Sequence, residues 1–379
     1  MSLSLRIEKL IWQGQGLARK PDGQVVIIDP PVFPGEEVEV EIYKEYKDYL
    51  KAQVKKIVKP HPKRRTHPCP VADKCGGCKF GYVPASYGLK LKKDIFTDTI
   101  QRSYLKNIDF KPKITIIPSP KNWRYRHRGQ VFVQTHQPGF KQMASSKFVP
   151  VEDCLLFVSV LGKSLHQLAT KKKTGRYTVI SNGRQIAIEG EDKLLKFGLN
   201  NFPLTYFFSA NHFFQANWKL NQVLIDLICK LSAKYTRIAD LYAGAGNFSL
   251  PLAWMGKQVL ALEGNPDAVR LGQNLAYKNK LDLVIRRVNL NTTQPSLFKF
   301  SPQGIIVDPP RSGAPSLAKT LLNLPKLEQV IWISCELSKT LRDLRPLLKK
   351  GFQITQIYIL DMFPQTWHLE TLLLLEKNT

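Results

Sequence analysis

Residues 237–256 read RIADLYAGAGNFSLPLAWMG. An apolar run ends at Asp240-Leu241-Tyr242, breaks at Gly244 and Gly246, and resumes with the apolar spacing of a helix. Strand, glycine turn and helix in that order form the opening unit of an open, mainly parallel α/β sheet, in which ligands lie beyond the carboxyl ends of the strands. Glycines at the turn let the backbone come close to such a ligand. The next apolar run, QVLALE, ends in Glu263, a carboxylate suited to the two ribose hydroxyls of a bound nucleoside. Two ligands compete for this pattern. A dinucleotide asks for a third glycine, where this chain has Ser249. S-adenosylmethionine has no pyrophosphate and makes no such demand.

The alternation extends in both directions. WKLNQVLIDLICKLSA (218–233) reads as a helix upstream; NPDAVRLGQNLAYKNK (265–280), SLAKTLLNL (316–324) and KTLRDLRPLLKKG (339–351) read as helices downstream. GIIVDPP (304–310), QVIWISC (329–335), QITQIYIL (353–360) and HLETLLLLEK (368–377) read as strands. The first of these strands enters Asp308-Pro309-Pro310-Arg311, whose prolines fix the backbone at the ligand edge. Asp308 is placed to meet the methionine ammonium of a methyl donor, the target base, or both. Amino-group methylases follow a similar corner with an aromatic ring that stacks the base; Arg311 stands in that position and argues against exocyclic amine chemistry.

Cys335 closes the next strand. A cysteine there is ordinarily a small buried hydrophobe, as Cys229 in LIDLICKL is expected to be. Beside a methyl donor it has another use. C5 of a pyrimidine is a poor nucleophile, but a thiolate adding to C6 turns C5 into an enolate carbon that accepts a methyl group. A base must then remove the C5 proton before the thiolate leaves. Cys335 and Glu370, the latter at the junction Trp367-His368-Leu369-Glu370, suit those two tasks, with His368 as the alternative base.

The chain has 379 residues, 43% of them hydrophobic, which suits two or three domains and excludes wholesale disorder. Its 56 lysines and arginines against 30 acidic residues leave a net charge of +26. A large polyanion is the natural partner of such a chain, and a phosphate backbone is the usual one. No apolar run approaches the roughly 20 residues of a membrane span. The opening MSLSLRIEKLIWQG lacks the pattern of a secretory signal. A cytoplasmic protein with reduced thiols and no membrane partner is therefore expected.

Residues 1–58 alternate apolar and charged positions in short strands split by glycine turns, the pattern of a small oligonucleotide-type β-barrel. Residues 59–208 form an expected β-rich central domain, and residues 209–379 the α/β domain. The basic linker KPHPKRRT (59–66) leads into Cys69, Cys75 and Cys78, which with Cys154 offer four thiolates. Such a set holds zinc or a cubane cluster. KNWRYRHR (121–128) interleaves cations with rings, the composition that meets phosphates and unstacked bases. Phe213 and Phe214 are candidates to receive a flipped base, with core packing as the alternative.

FFQANW (213–218), DLYAGAGNFSLPLA (240–253), ALEGNPDAV (261–269), IIVDPPRSGA (305–314), ISCELSKTLRDL (333–344) and HLET (368–371) together resemble the RNA uracil-C5 methyltransferase family. With the cysteines and the N-terminal strands, the resemblance covers nearly the whole chain. It implies a class I S-adenosylmethionine-dependent methyltransferase sheet and a TRAM-like RNA-binding barrel over 1–58. It implies donor contacts at Gln215, Tyr242, Asn247, Glu263, Asn289 and Asp308, with Cys335 as nucleophile and Glu370 as base. It implies that Cys69, Cys75, Cys78 and Cys154 hold a [4Fe-4S] cluster rather than zinc, and that the helix at about 84–105 packs on the catalytic domain. Its iron–sulfur branch points to 23S ribosomal RNA, with transfer RNA as the alternative, and a monomer is expected. SCELSKTL departs from relatives that carry Asn or Pro shortly after the cysteine, which bears on the substrate subgroup and not on the chemistry.

Overall fold

The computed structural model describes residues 3–107, 112–292 and 295–377. It divides into two units that cut across the three segments expected from sequence: Met1–Asp109 with Lys141–Val149 and Phe363–His368, and Phe110–Phe140 with Pro150–Met362 and Leu369–Thr379. No helix among the described residues is long and apolar enough to cross a membrane.

In the first unit, the alternation EVEVEIYKE makes Glu37–Glu45 a strand whose Val38 and Val40 are buried while its glutamates stay partly exposed. It pairs antiparallel with Leu3–Arg6 on one side and with Tyr49–Lys59 on the other. Val25–Ile28, Gly16–Arg19 and Lys9–Leu10 extend the sheet beyond Tyr49–Lys59. Glu36 is fully buried just before the long strand. Its carboxylate accepts from the backbone N–H of Phe33 at 2.9 Å and of His61 at 3.0 Å, and from Arg64 Nε at 2.6 Å and Nη2 at 2.9 Å. A buried carboxylate so fully paired ties the basic linker to the sheet. The helix Ala85–Gln101 was expected on the catalytic domain; here it supplies Tyr87, Leu91 and Ile95 to the core of this N-terminal sheet, beside Val26, Val40 and Leu50.

The second unit holds a large sheet whose strands we label β1 (Lys113–Ile117), β2 (Arg237–Leu241), β3 (Gln258–Glu263), β4 (Val284–Arg287), β5 (Gly304–Val307), β6 (Gln329–Ser334), β7 (Phe352–Leu360) and β8 (Glu370–Lys377). Their order across the sheet is β4-β3-β2-β5-β6-β8-β7-β1. Neighbours from β4 to β6 are parallel, and β8 runs antiparallel between β6 and β7. Every residue of β5 and β6 is buried, as their unbroken apolar runs require of parallel strands covered on both faces. Strand β1 was read as part of the central domain; it pairs parallel with β7 at the sheet's edge, Lys113 opposite Gln356. A separate antiparallel sheet joins Arg128–Gln134 to Gly175–Ser181, and that strand to Ile186–Ile188. Leu161, Leu165 and Leu168 from two short helices cover it, packing with Val131, Val133 and Val179.

Candidate active site

One edge of the large sheet collects the chemistry. The carboxyl ends of β2, β3, β5 and β6 lie there, and antiparallel β8 begins there. Leu241 is level with Val307, Val307 with Trp332, and Ser334 with Thr371. The Thr371 hydroxyl donates to the Ser334 carbonyl at 3.1 Å. Cys335 and Glu370, 35 positions apart in the chain, thus follow and precede a directly paired couple.

On the donor side, Tyr242, Gly244 and Gly246 have φ of 61°, 55° and 88°. A left-handed conformation is costly for tyrosine and free for glycine, so the turn is held by its surroundings. A Cβ at Gly244 would meet no atom within 4 Å, which leaves room beside the turn for a ligand. Glu263 Oε2 accepts from Gly244 N at 2.9 Å and Oε1 from Asn265 N at 2.7 Å. Each oxygen keeps a second lone pair for a hydroxyl. Gln215 Nε2 donates to Asp308 Oδ2 at 3.4 Å. Burial pushes the Asp308 carboxyl up to about 6, against the pull of Gln215. The open turn, a diol-ready carboxylate and a second acid suited to an ammonium fit S-adenosylmethionine.

The other two expected donor contacts are set differently. The Asn247 amide is engaged in a reciprocal pair with Asn221, at 2.8 and 3.0 Å. Asn289 is exposed beyond β4 and accepts from Asn291 N at 3.1 Å. Asp240, which the sequence offered only as a landmark, is fully buried. Its Oδ2 accepts from Ser249 Oγ at 2.5 Å, while Oδ1 has no partner among the described residues. Burial pushes this carboxyl up to about 7; Ser249 opposes the shift, and Asp308 and Glu263 add to it.

On the nucleophile side, Cys335 is half-buried and Glu370 buried. Burial, then the charge of Glu370, pushes the Cys335 thiol up to about 11, and Arg311 draws it back. Burial and Asp308 hold the Glu370 carboxyl well above the usual carboxylate range, again against Arg311. Arg311 is therefore the cation that acts on both groups, a part that the sequence reading had not given it. Its loop is fixed from the helix Leu337–Lys349. Lys339 Nζ donates to the Arg311 carbonyl at 2.8 Å and Arg342 Nη2 to that of Ser312 at 3.3 Å. The buried Asp343 carboxylate accepts from Ala314 N at 2.7 Å. A Cβ at Gly313 would strike that carboxylate, so the closeness of loop and helix requires glycine there. Only the fold brings these side chains to the corner; Asp343 lies within ISCELSKTLRDL, but the sequence reading gave it no role.

Phe213 is 67% exposed, and the Arg128 guanidinium lies 5.5 Å from its ring centre. Phe214 is core, stacked on Phe208 at 4.7 Å. The interleaved segment 121–128 is more structural than its composition suggested. Arg124 forms a bidentate pair with Asp153 at 2.5 and 2.6 Å, Arg126 Nε donates to the Arg128 carbonyl at 3.0 Å, and Arg128 Nε to that of His212 at 3.1 Å. Tyr125 and His127 are buried. Its cations hold backbone and carboxylates in place, and Lys121 remains exposed.

The cysteines divide between the units, Cys69, Cys75 and Cys78 in the first and Cys154 in the second. No disulfide joins any of them. Cys69 is near enough to Cys75 to add to the upward push that burial gives it, and the buried Lys79 feels both Cys75 and Cys78. Among the described residues, however, no group of three or more His, Cys, Asp or Glu side chains is gathered to hold a metal ion. The donor chemistry suits thiophilic iron or zinc.

A family model described as tRNA (Uracil-5-)-methyltransferase matches residues 163–378, and a TRAM domain model matches residues 3–55. The Shewanella amazonensis protein named 23S rRNA (uracil(1939)-C(5))-methyltransferase RlmD is 29% identical over 430 residues, covering 99% of this chain and 95% of that one. An uncharacterized RNA methyltransferase of Bdellovibrio bacteriovorus is 30% identical over 381 residues, covering 98% and 94%. The crystal structure of Pyrococcus abyssi tRNA (uracil-54, C5)-methyltransferase in complex with S-adenosyl-L-homocysteine matches with a TM-score of 0.78 at 21% identity, over 98% of this chain and 99% of that one. The last likeness is one of fold.

Proposed function

The chain belongs to the tRNA (uracil-5-)-methyltransferase family and is an S-adenosylmethionine-dependent RNA (uracil-5-)-methyltransferase, and from that premise we infer that it methylates C5 of a uridine in 23S ribosomal RNA through a covalent bond between Cys335 and C6. What carries this reading is the pairing of Ser334 with Thr371, which sets a thiol and a buried carboxyl side by side at the ligand edge. The choice of ribosomal RNA is supported by the relative named for 23S rRNA, matched along 99% of this chain; transfer RNA is the competing substrate.

The donor supplies a methyl group on a sulfonium, an electrophile open to attack by carbon. Gln215, Tyr242, Glu263 and Asp308 hold and orient it, with Asn247 and Asn289 as further contacts. The Cys335 thiol gives its proton to solvent, assisted by the positive charge of Arg311, and the thiolate sulfur forms a bond to C6 of the uracil while the C5–C6 π pair moves onto C5. The electron pair moved to C5 takes the methyl group. Glu370 then accepts the C5 proton, and the C6–sulfur bond breaks as the double bond returns. A base with a raised pKa is matched to a carbon acid in a way that an ordinary surface carboxylate is not. Phe213, exposed beside Gln215, is the face on which the extruded uracil stacks.

The four cysteines enter this reading as ligands of a [4Fe-4S] cluster with no part in methyl transfer. Iron and acid-labile sulfide assays on anaerobically purified protein test it. About four of each per chain support it; zinc, or neither, overturns it. The function itself is tested by replacing the nucleophile. Cys335→Ala should abolish methylation of 23S rRNA transcripts while leaving RNA affinity within about twofold, and a variant that still methylates refutes the thiol's role.

A further inference from the structure

The basic linker 59–66 does more than connect. Together with the cysteine loop it walls a cleft of about 820 Å³ that lies wholly within the first unit. Its polar lining includes His61, Arg64, Arg65, His67, Asp73 and Tyr82. Most of these groups are already committed. Arg64 is locked to buried Glu36 and lies 4.8 Å from the Phe33 ring centre and 5.5 Å from that of Tyr82. His67 Nδ1 accepts from Cys69 N at 2.9 Å, which leaves Nε2 to donate to the Cys78 carbonyl at 3.1 Å. Asp73, the lining's one carboxylate among the described residues, accepts from the Tyr82 hydroxyl.

Arg65 is the exception. Its backbone N–H donates to the Tyr82 carbonyl at 2.8 Å and its Nε to the Gly81 carbonyl at 3.2 Å. The stem is thus fixed and the side chain exposed, and its two terminal nitrogens meet no acceptor among the described residues. A guanidinium fork held by its stem is preorganised for a phosphate, because little freedom is left to lose on binding. The volume is that of a site for a nucleotide-sized ligand. The Tyr82 ring, 5.5 Å from the Arg64 guanidinium and 4.8 Å from the His67 ring, offers an aromatic contact to an unpaired base.

We propose that this cleft holds an unpaired ribonucleotide segment of the RNA substrate, with the Arg65 fork on a phosphate and the base beside the Tyr82 ring. The inference rests on the RNA methyltransferase reading and extends it to a second contact outside the methyl-transfer site. The test uses the full-length protein and a fluorescein-labelled 23S rRNA fragment with unpaired flanks, followed by anisotropy from low to high salt. Arg65→Ala should raise Kd about tenfold and lower the slope of log Kd against log salt by about one. Arg65→Lys should recover part of the affinity, because charge returns without the fork. S-adenosylmethionine affinity, read by calorimetry, should stay unchanged and reports intact folding. An Arg65→Ala variant that binds the fragment within twofold of the parent at every salt overturns the proposal. So does a variant that loses affinity for an acidic peptide and not for RNA, since the cleft would then serve a protein. Loss of the methyltransferase reading would show instead as no methylation by the parent protein, with its RNA affinity still measurable.

Discussion

Burial governs the chemistry of single residues at the sheet edge. The Cys335 thiol, pushed up to about 11, is protonated in the free protein at neutral pH, and its thiolate fraction grows tenfold for each pH unit. Alkylation of Cys335 by iodoacetamide should therefore rise about tenfold per unit from pH 7 toward pH 10. Arg311→Ala should slow it at every pH in that range, because the cation that draws the thiol down is gone. A flat pH profile would contradict the assignment. Asp240 gives a stability prediction. Its folded-state pKa of about 7 lies above the ordinary 3.8, so folding favours its protonated form. That contribution is fully present below about pH 4 and is lost as pH rises through 7. Asp240→Asn should be more stable than the parent at pH 8, by up to about 4 kcal/mol, and no more stable at pH 4. Urea unfolding at the two values reads the difference.

At the scale of elements, what a sequence shows depends on how local its cause is. The strand ends carrying Glu263, Asp308 and Cys335 were legible because each is an apolar run stopped by a polar residue, and in parallel strands such ends share an edge. The neighbourhood of Cys335 and Asp308 followed from the same logic, whereas Glu370, which opens the antiparallel β8, was reached through the chemistry that a thiolate adduct requires and the family resemblance. Strand β1 was legible as a strand but not as part of this sheet, because its partner β7 lies more than 200 positions away and an edge strand carries no pattern naming its neighbour. Cations in 121–128 look alike in sequence whether they face RNA or a carboxylate of the chain itself; only Asp153, 29 positions from Arg124, tells them apart. The helix after Cys335 read as an ordinary amphipathic segment, yet its Asp343 caps the loop that presents Arg311. Asp343→Ala should leave the Ala314 N–H unpaired in a buried place and cost about 1–3 kcal/mol of stability. It should also lower methylation kcat about tenfold with the donor affinity little changed. Equal stability and rate in parent and variant would show that the loop holds itself.

At the scale of the whole molecule, a charge of +26 makes affinity for RNA strong and salt-dependent but says nothing of which uridine is chosen. Selection must come from fixed contacts, and the chain uses ion pairs to fix them: buried Glu36 with Arg64 in the first unit, half-buried Arg124 with Asp153 in the second. The covalent step is the claim on which the account depends. Glu370→Gln keeps the shape of the base and removes its ability to take the C5 proton, so the bond from sulfur to C6 should form and fail to break. The decisive measurement is tandem mass spectrometry of Glu370→Gln protein after incubation with 23S rRNA transcript and S-adenosylmethionine, followed by protease and nuclease digestion. The account predicts a peptide carrying a methylated uridine on Cys335, absent when Cys335 is also replaced. Full turnover with no adduct, or an adduct on another residue, would contradict it.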